Sequence, residues 1–208
     1  MLKSISKLFW VSIVLLLVSC APKRIEMPSY EGKAFRDVLS DMNSVSKIEA
    51  KFSIIFEKND TEMRGDAALN ISSAGDMSLR VYSLGFLAME LTSENGAVKS
   101  NPRLDRNKTV ILTKGLRDCL FWWDIKDFII EDGSDYFLLE NPARRIWVDK
   151  KTFLPKRQDI FFEDGREITV YYDNPARENT MWYQSKIRIE LSKYSVTLTV
   201  KNISFKTG

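Results

Sequence analysis

The sequence predicts a mainly β protein built around one long antiparallel sheet, with two or three helices. Apolar residues recur at every second position in about ten or eleven separate runs, and this period is typical of a half-buried strand. Hairpin dipeptides such as Asn95-Gly96 and Asp164-Gly165 separate the runs. An open twisted sheet of this size is near its limit, so we expect it to curve strongly around apolar side chains.

Residues 1–19 are typical of an export signal, because lysines precede an apolar run from Leu8 to Val18. This run is too short to span the roughly 30 Å of a bilayer core as a helix. The following Leu17-Val18-Ser19-Cys20 resembles the lipobox of bacterial lipoproteins. The resemblance implies cleavage before Cys20 and acylation of that cysteine, and Ala21 favours the outer membrane. The alternative is an ordinary secretory signal that ends near a cysteine.

Composition argues against an enzyme. The 208 residues include no histidine and two cysteines, so the usual general base, zinc ligand and disulfide framework are lacking. With 44% hydrophobic residues, the chain is long enough to bury a core as one domain. Loss of the two lysines of the signal leaves nearly balanced charge, which argues against nucleic-acid binding. We therefore expect no catalytic residues, no metal and no cofactor.

The mature chain starts with a tether and a helix. Residues 20–30 contain the acylated cysteine followed by a short polar stretch with two prolines, which is typical of a linker. We expect a single domain over 31–208. Its first element is an amphipathic helix over 32–44, because apolar residues there fall at helical spacing.

Strands follow at 48–56, 63–71, 77–81 and 87–91, where the apolar period becomes two. One alternate set of side chains should line the inside of the curved sheet. The candidates for this lining are Phe52, Ile54, Phe56, Leu69, Leu79, Val81 and Met89. The period does not determine which face is concave, or whether the interior is filled or holds a cavity.

The second half contains one helix and six further predicted strands. Leu116, Cys119, Leu120 and Trp123 have helical spacing, and Cys119 is expected to be a buried apolar residue. Trp122 and Trp123 either line the mouth of a cavity or pack this helix onto the sheet. The predicted strands are 136–139, 145–148, 157–162, 167–172, 184–191 and 194–205.

Two surface features have functional interpretations. Leu84, Gly85, Phe86 and Leu87 form an apolar turn between two strands, where a polar turn is expected; such a loop marks a contact with a membrane or a partner. The alternative is that Phe86 and Leu87 fold back into the core. A basic stretch is expected on the outer face, against phosphate headgroups or as ordinary mixed-charge surface; it contains Arg144, Arg145, Lys150, Lys151, Lys156 and Arg157.

The chain resembles the LolA/LolB group of bacterial lipoprotein-handling proteins, and LolB more closely because of the lipobox. The segments that resemble this group are 79–91, 147–155, 186–191 and 196–200. The resemblance implies a half-open barrel with helices in its mouth and an apolar cavity for acyl chains. It also implies that the loop 84–87 projects and helps to insert cargo into the membrane.

The sequence therefore leads to two hypotheses. The first is a monomeric lipoprotein at the periplasmic face of the outer membrane, which receives acyl chains of lipoproteins or lipids, for example from a periplasmic LolA-like carrier. No covalent step is needed for this role. The second is a structural or assembly lipoprotein that binds an envelope complex, with its barrel filled by its own side chains.

Overall fold

The computed structural model describes residues 27–208, apart from Glu31 and Asp60. Cys20 and the predicted export signal lie outside the described residues. The helical elements are α1 Phe35–Met42, α2 Arg106–Val110, a π-helical turn Ile111–Gly115 and α3 Leu116–Leu120. The last three are continuous, and we call residues 106–120 the middle helix. The strands are β1 Val45–Lys58, β2 Thr61–Ser72, β3 Met77–Ser83, β4 Phe86–Glu94, β5 Ala97–Asn101, β6 Ile129–Asp132, β7 Tyr136–Asn141, β8 Arg144–Asp149, β9 Pro155–Phe161, β10 Glu167–Glu178, β11 Met181–Leu191 and β12 Tyr194–Thr207.

All twelve strands form one sheet in the order β5-β4-β3-β2-β1-β12-β11-β10-β9-β8-β7-β6. The chain builds one half outward from β1, crosses over through the middle helix, and returns from the opposite edge until β12 pairs antiparallel with β1. Strands β5 and β6 are the two edges, so the described sheet is open. The predicted mainly β fold with one antiparallel sheet is confirmed, whereas closure of this sheet is not observed.

One face of the sheet carries the core. A row of paired residues crosses four strands, from Met89 through Val81 and Ala67 to Phe52. All four are buried. This agreement between register and burial follows from the period of two, because a shift of one residue would turn the whole apolar set outward.

Both helical segments cover this same face. The Phe35 ring of α1 stacks on Phe137 with ring centroids 4.6 Å apart. A Cβ at Gly115 of the middle helix would lie 3.3 Å from Cγ2 of Ile189. Ile189 and Phe137 lie on the same face of the sheet. Successive cross-strand pairs lead from Ile189 through β10, β9 and β8 to Leu139 on β7, and Leu139 is two residues from Phe137 on that strand. The small residue Gly115 thus allows the middle helix to approach the sheet closely.

Among the differences from the predicted boundaries, three concern the first helix, the middle helix and the two edges of the sheet. The first helix begins at Phe35, after Ala34, whose backbone is extended with ψ of 151°. The middle helix ends at Leu120, so Trp123 lies beyond it and continues the apolar face from a turn. The structure adds β5 and β6, which the sequence did not reveal because these edge strands are largely exposed and carry no alternating pattern.

Candidate functional site

A two-residue turn carries the apolar tip of the β3–β4 hairpin, defined as residues 84–87. Ser83 pairs with Phe86, and the intervening Leu84 and Gly85 have φ of 51° and 83°. The exposed fractions are 96% for Leu84, 79% for Phe86 and 54% for Leu87. The structure therefore places these side chains in solvent and not in the core.

The backbone of the tip is unusual for its sequence. Two consecutive positive φ angles are typical of a type I′ turn, which favours Asn-Gly. The neighbouring β4–β5 hairpin has that preferred pair, Asn95-Gly96, with φ of 50° and 79°. Leu84 adopts the same backbone without the short polar side chain that tolerates it. The tip thus keeps an exposed leucine at a position where asparagine would be more stable.

A close backbone contact lies at the base of this hairpin. A Cβ at Gly65 on β2 would lie 2.3 Å from the carbonyl oxygen of Tyr82 on β3. The β3–β4 register shifts between Val81 and Tyr82. Glycine at position 65 therefore allows the irregular end of β3 to approach β2 just before the tip.

The seven strand residues predicted to line the interior lie on the helix-covered face of the sheet and are buried. These are Phe52, Ile54, Phe56, Leu69, Leu79, Val81 and Met89. Lys108 of the middle helix lies over the Phe56 ring, 4.9 Å from its centroid. The structure thus brings the predicted set together on one face, where it forms packed core.

A small apolar cavity lies beside this core, under the end of the middle helix. Its volume is about 20 Å³, and Trp122 and Trp123 belong to its lining, as does the buried Cys119. The rest of the lining comes from β9 to β12 and consists of Pro155, Tyr172, Tyr183, Gln184, Ile187, Val200, Ile203 and Phe205, together with Leu120 of the middle helix. The two indoles contact each other edge to face, with centroids 5.9 Å apart.

Trp123 also borders a larger, more polar depression of about 470 Å³. Asn43, Ser73, Asp124 and Lys126 are among its lining residues. Trp123 therefore lies between an apolar cavity and a polar, open one.

A buried arginine holds residues 122–124, which we call the tryptophan segment, against the sheet. Arg144 on β8 donates hydrogen bonds to the carbonyl oxygens of Asp124 at 2.7 Å, Asp118 at 3.0 Å and Trp122 at 3.1 Å. It is 5% exposed, and burial lowers the pKa of its guanidinium. The expectation that Arg144 lies on the outer face is wrong, because its guanidinium is buried and donates to carbonyl groups in the last turn of the middle helix and in the segment that follows it.

Gln158 and Tyr172 complete this buried polar group. The Gln158 side-chain amide has one orientation in which both its oxygen and its nitrogen form hydrogen bonds. In that orientation the oxygen accepts from Arg144 Nη2 at 3.0 Å, and the nitrogen donates to the Tyr172 hydroxyl oxygen at 2.8 Å. The Tyr172 hydroxyl then donates to the carbonyl oxygen of Cys119 at 3.3 Å. Burial raises the pKa of Tyr172 well above its ordinary value, so this hydroxyl stays protonated as a donor.

A charged group lies at the polar end of the segment. Arg117 pairs with Asp124 and donates to the Ser73 carbonyl oxygen at 3.2 Å through Nε. Lys126 Nζ lies 2.8 Å from Asp124 Oδ1. Burial acts to raise the pKa of Asp124, but the Lys126 hydrogen bond and the Arg117 charge outweigh it and hold this pKa below its usual value.

Sequence reasoning missed Arg144, Gln158 and Gln184 as interior residues. All three are less than 6% exposed. Its position in the strand could have revealed that Arg144 is buried. Arg144 is two residues before the apolar Ile146 on an alternating strand, so both side chains point to the inward face of the sheet. Polar residue type hid this signal, because a polar residue at an inward position is rare unless it is hydrogen-bonded.

Within residues 27–208, as far as they are described, the structure contains no cluster of acidic or cysteine side chains that would hold a metal ion. None of the helices described there is long and apolar enough to cross a membrane.

No protein-family model and no curated protein sequence matches this chain. Its fold is similar to that of a LolA superfamily protein from Nitrosomonas europaea, with a TM-score of 0.54, 11% identity, and coverage of 85% of this chain and 96% of that chain. A DUF1329 family protein from Desulfovibrio piger has a similar fold, with a TM-score of 0.55 and 10% identity; the match covers 84% of this chain and 91% of that chain. A Vibrio parahaemolyticus domain described as an outer membrane lipoprotein-sorting protein has a TM-score of 0.50 and 12% identity; the match covers 84% of this chain and 92% of that chain. The resemblance to the LolA/LolB group is thus confirmed at the level of the fold.

Proposed function

We propose that this protein is an outer-membrane-anchored lipoprotein that receives acyl chains of lipoproteins or lipids and helps to insert them into the membrane. The observation that carries this proposal is the apolar tip, where leucine occupies a strained and fully exposed position. A soluble protein rarely exposes such residues without a membrane or a partner to cover them. The similar fold of the Vibrio parahaemolyticus domain, which is described as outer membrane lipoprotein-sorting, supports the same role.

A half-open barrel is the form of the sheet that suits this role. Twelve strands spaced about 4.8 Å apart would make a flat sheet roughly 58 Å wide, whereas a 15-residue helix is only about 22 Å long. One continuous core nevertheless extends from Leu91 on β4 to Leu139 on β7, beneath the helices. Curvature of the sheet around the two helical segments accounts for this continuity. The helices then lie in the mouth of the barrel.

The mechanism we propose requires no covalent chemistry. Acyl chains delivered by a LolA-like periplasmic carrier enter beside Trp122 and Trp123, and pass from there into the bilayer. Both environments are apolar, so the net free-energy change is small and the protein lowers the barrier of crossing water. The apolar tip contacts the membrane, the acyl groups of Cys20 keep the monomer at the periplasmic face, and several acyl chains suffice for stable anchoring.

One observation favours the scaffold hypothesis as a second candidate. The apolar cavity has a volume of about 20 Å³, which is room for about one water molecule. A scaffold would keep this core filled and use the apolar tip to bind an envelope protein. The receptor hypothesis requires instead that the side chains of Trp122 and Trp123 move away from the sheet to admit a chain.

Native mass spectrometry tests the two candidates against each other. A full-length Cys20→Ser variant would be purified without detergent, so that residue 20 carries no acyl group of its own. The receptor hypothesis predicts a bound lipid or acyl peptide that is released on denaturation, or that binds when a diacylated or triacylated lipopeptide is added. A mass that stays that of the protein alone after both treatments would contradict it and favour the scaffold.

A further inference from the structure

One residue that lines the small apolar cavity carries a buried hydrogen-bond acceptor with no donor among the described residues. Gln184 on β11 belongs to its lining and is 4% exposed. Its amide nitrogen donates to the Pro155 carbonyl oxygen at 3.1 Å. The amide oxygen, in contrast, has no hydrogen-bond partner among the described residues.

The orientation of this amide is fixed. Exchanging oxygen and nitrogen would place the Gln184 oxygen against the Pro155 carbonyl oxygen, which is also an acceptor. A buried acceptor left unpaired is costly, and such groups in native structures call for a specific explanation. The cavity therefore favours any occupant that brings a donor to Gln184.

The surroundings limit what that occupant is. Trp122, Trp123 and Phe205 make the cavity apolar and aromatic. The Tyr172 hydroxyl is already engaged with Gln158 and the Cys119 carbonyl oxygen. An ammonium or carboxylate group would lose its hydration here without an opposite charge to replace it. A neutral donor attached to an apolar chain meets both conditions.

We propose that this cavity selects ligands whose alkyl chain carries a neutral hydrogen-bond donor, an amide N–H or a hydroxyl, that binds Gln184 Oε1. The inference rests on the proposed function and names its substrate class. Esters of the same chain length fill the same apolar space but leave Gln184 unpaired. The cavity thus distinguishes amide-linked or hydroxylated chains from ester-linked ones.

The ligand enters by displacing the indoles of Trp122 and Trp123. These two residues follow the end of α3 and precede the first strand of the second half of the sheet. The backbone contact from Arg144 to Trp122 limits this displacement to the side chains. A single water bound to Gln184 is the simplest other occupant of a cavity of this volume.

The test compares four ligands that share a twelve-carbon chain. N-methyldodecanamide and 1-dodecanol each bring a neutral donor; N,N-dimethyldodecanamide and methyl dodecanoate bring none. Affinities would be measured by displacement of an uncharged fluorescent alkyl probe, 1-dodecylpyrene, from the full-length Cys20→Ser protein. We expect the donor ligands to bind about tenfold more tightly, the ratio that one added hydrogen bond to a buried acceptor produces. The stronger of the two donor ligands identifies the source of the donor as amide or hydroxyl.

Two variants locate the effect. Gln184→Met removes the acceptor at similar size, and we expect the tenfold ratio between N-methyldodecanamide and methyl dodecanoate to fall to about one. Ile187→Val trims the same cavity without touching a polar group, so it should weaken both ligands and leave the ratio unchanged. If Gln184→Met fails to fold, the affinities of the four ligands for the protein with Gln184 are sufficient to test the proposal.

The failures are distinguishable. Equal affinity for all four ligands would overturn the selection by Gln184 and leave the proposed acyl-chain binding intact, with a water as the partner of the amide. An unchanged ratio in a folded Gln184→Met variant would also overturn it. No measurable binding of any ligand, including the probe, would overturn the proposed function itself.

Discussion

Arg144 Nη2 donates a hydrogen bond to the carbonyl oxygen of Trp122, with the two atoms 3.1 Å apart. The donor belongs to β8 and the acceptor to the segment that follows the middle helix. The position of the adjoining indoles over the sheet thus depends on a charged side chain that has no contact with the small cavity itself. In the proposed mechanism, stability and ligand entry are therefore coupled at this residue.

Replacement of Arg144 by methionine should destabilise the protein by about 3 kcal/mol, because the carbonyl oxygens of Asp118, Trp122 and Asp124 each lose a charged donor. Urea unfolding monitored by circular dichroism measures this change. The matched control is Arg145→Met on the outer face, where Nε donates to Glu140 at 3.0 Å and the side chain is more exposed. We expect less than 1 kcal/mol there. Similar losses in both variants would show that Arg144 has no special part in the core.

Leu84→Asn should separate stability from membrane binding. Asparagine tolerates the φ of 51° at this position, so we expect about 0.5 to 1 kcal/mol of added stability. Binding to phosphatidylethanolamine and phosphatidylglycerol vesicles, measured by flotation of the Cys20→Ser protein, should fall severalfold. Val98→Thr changes another exposed apolar residue away from the tip and should leave flotation unchanged. Undiminished flotation of Leu84→Asn would remove the tip from the proposed mechanism.

Gly65→Ala should cost about 2 kcal/mol, since the added carbon overpacks a backbone contact that has no flexible side chain to yield. The expected contact is 2.3 Å to the Tyr82 carbonyl oxygen. Thermal unfolding gives the measurement, and Asn70→Ala, at an exposed position on the same strand, is the control expected within 0.5 kcal/mol. Equal melting temperatures for the two variants would contradict the close approach of β2 and β3.

Acid should weaken the ion pairs that Asp124 forms with Arg117 and Lys126 next to the tryptophan segment. The pKa of Asp124 lies below its usual value in the folded protein, so its contribution to stability is present above the pKa of the unfolded chain and is lost as pH falls through the folded pKa. Asp124→Asn should reduce stability at pH 7 by about 1 kcal/mol or less, given partial exposure of its partners. The difference between this variant and the unsubstituted protein should shrink progressively as the pH falls below the usual range of a carboxyl pKa, as a series of urea unfolding curves at decreasing pH would show. A constant difference would mean that Asp124 is not the titrating group.

The sequence was informative where burial follows a simple period. Strands such as β1 and β12 alternate apolar and polar residues, so their existence and their inward side chains were predictable. Strands β5 and β6 bury almost nothing and left no such signal. Backbone pairing with a neighbour stabilises them, and that pairing depends on residues far away in sequence.

The candidate site was less predictable than the fold. The apolar tip was visible as apolar residues in a turn, but its positive φ at Leu84 depends on the hairpin register. Arg144 and Gln184 were hidden, because residue type indicates exposure and only the three-dimensional partners reveal that a polar group is buried and paired. Whether the interior encloses space also depends on side-chain packing, which no periodicity describes.

The pairing of β1 with β12 has a consequence for how the molecule assembles. Lys58 lies opposite Tyr194, and Val45 opposite Thr207, so the seam between the two halves of the sheet joins residues that are more than a hundred positions apart. Hairpins within each half form from local contacts and are fast, whereas closing this seam carries the entropy of a very long loop. We therefore expect the seam to form last during folding. Until it does, each half exposes a long unpaired edge, which is the state most vulnerable to proteases and self-association.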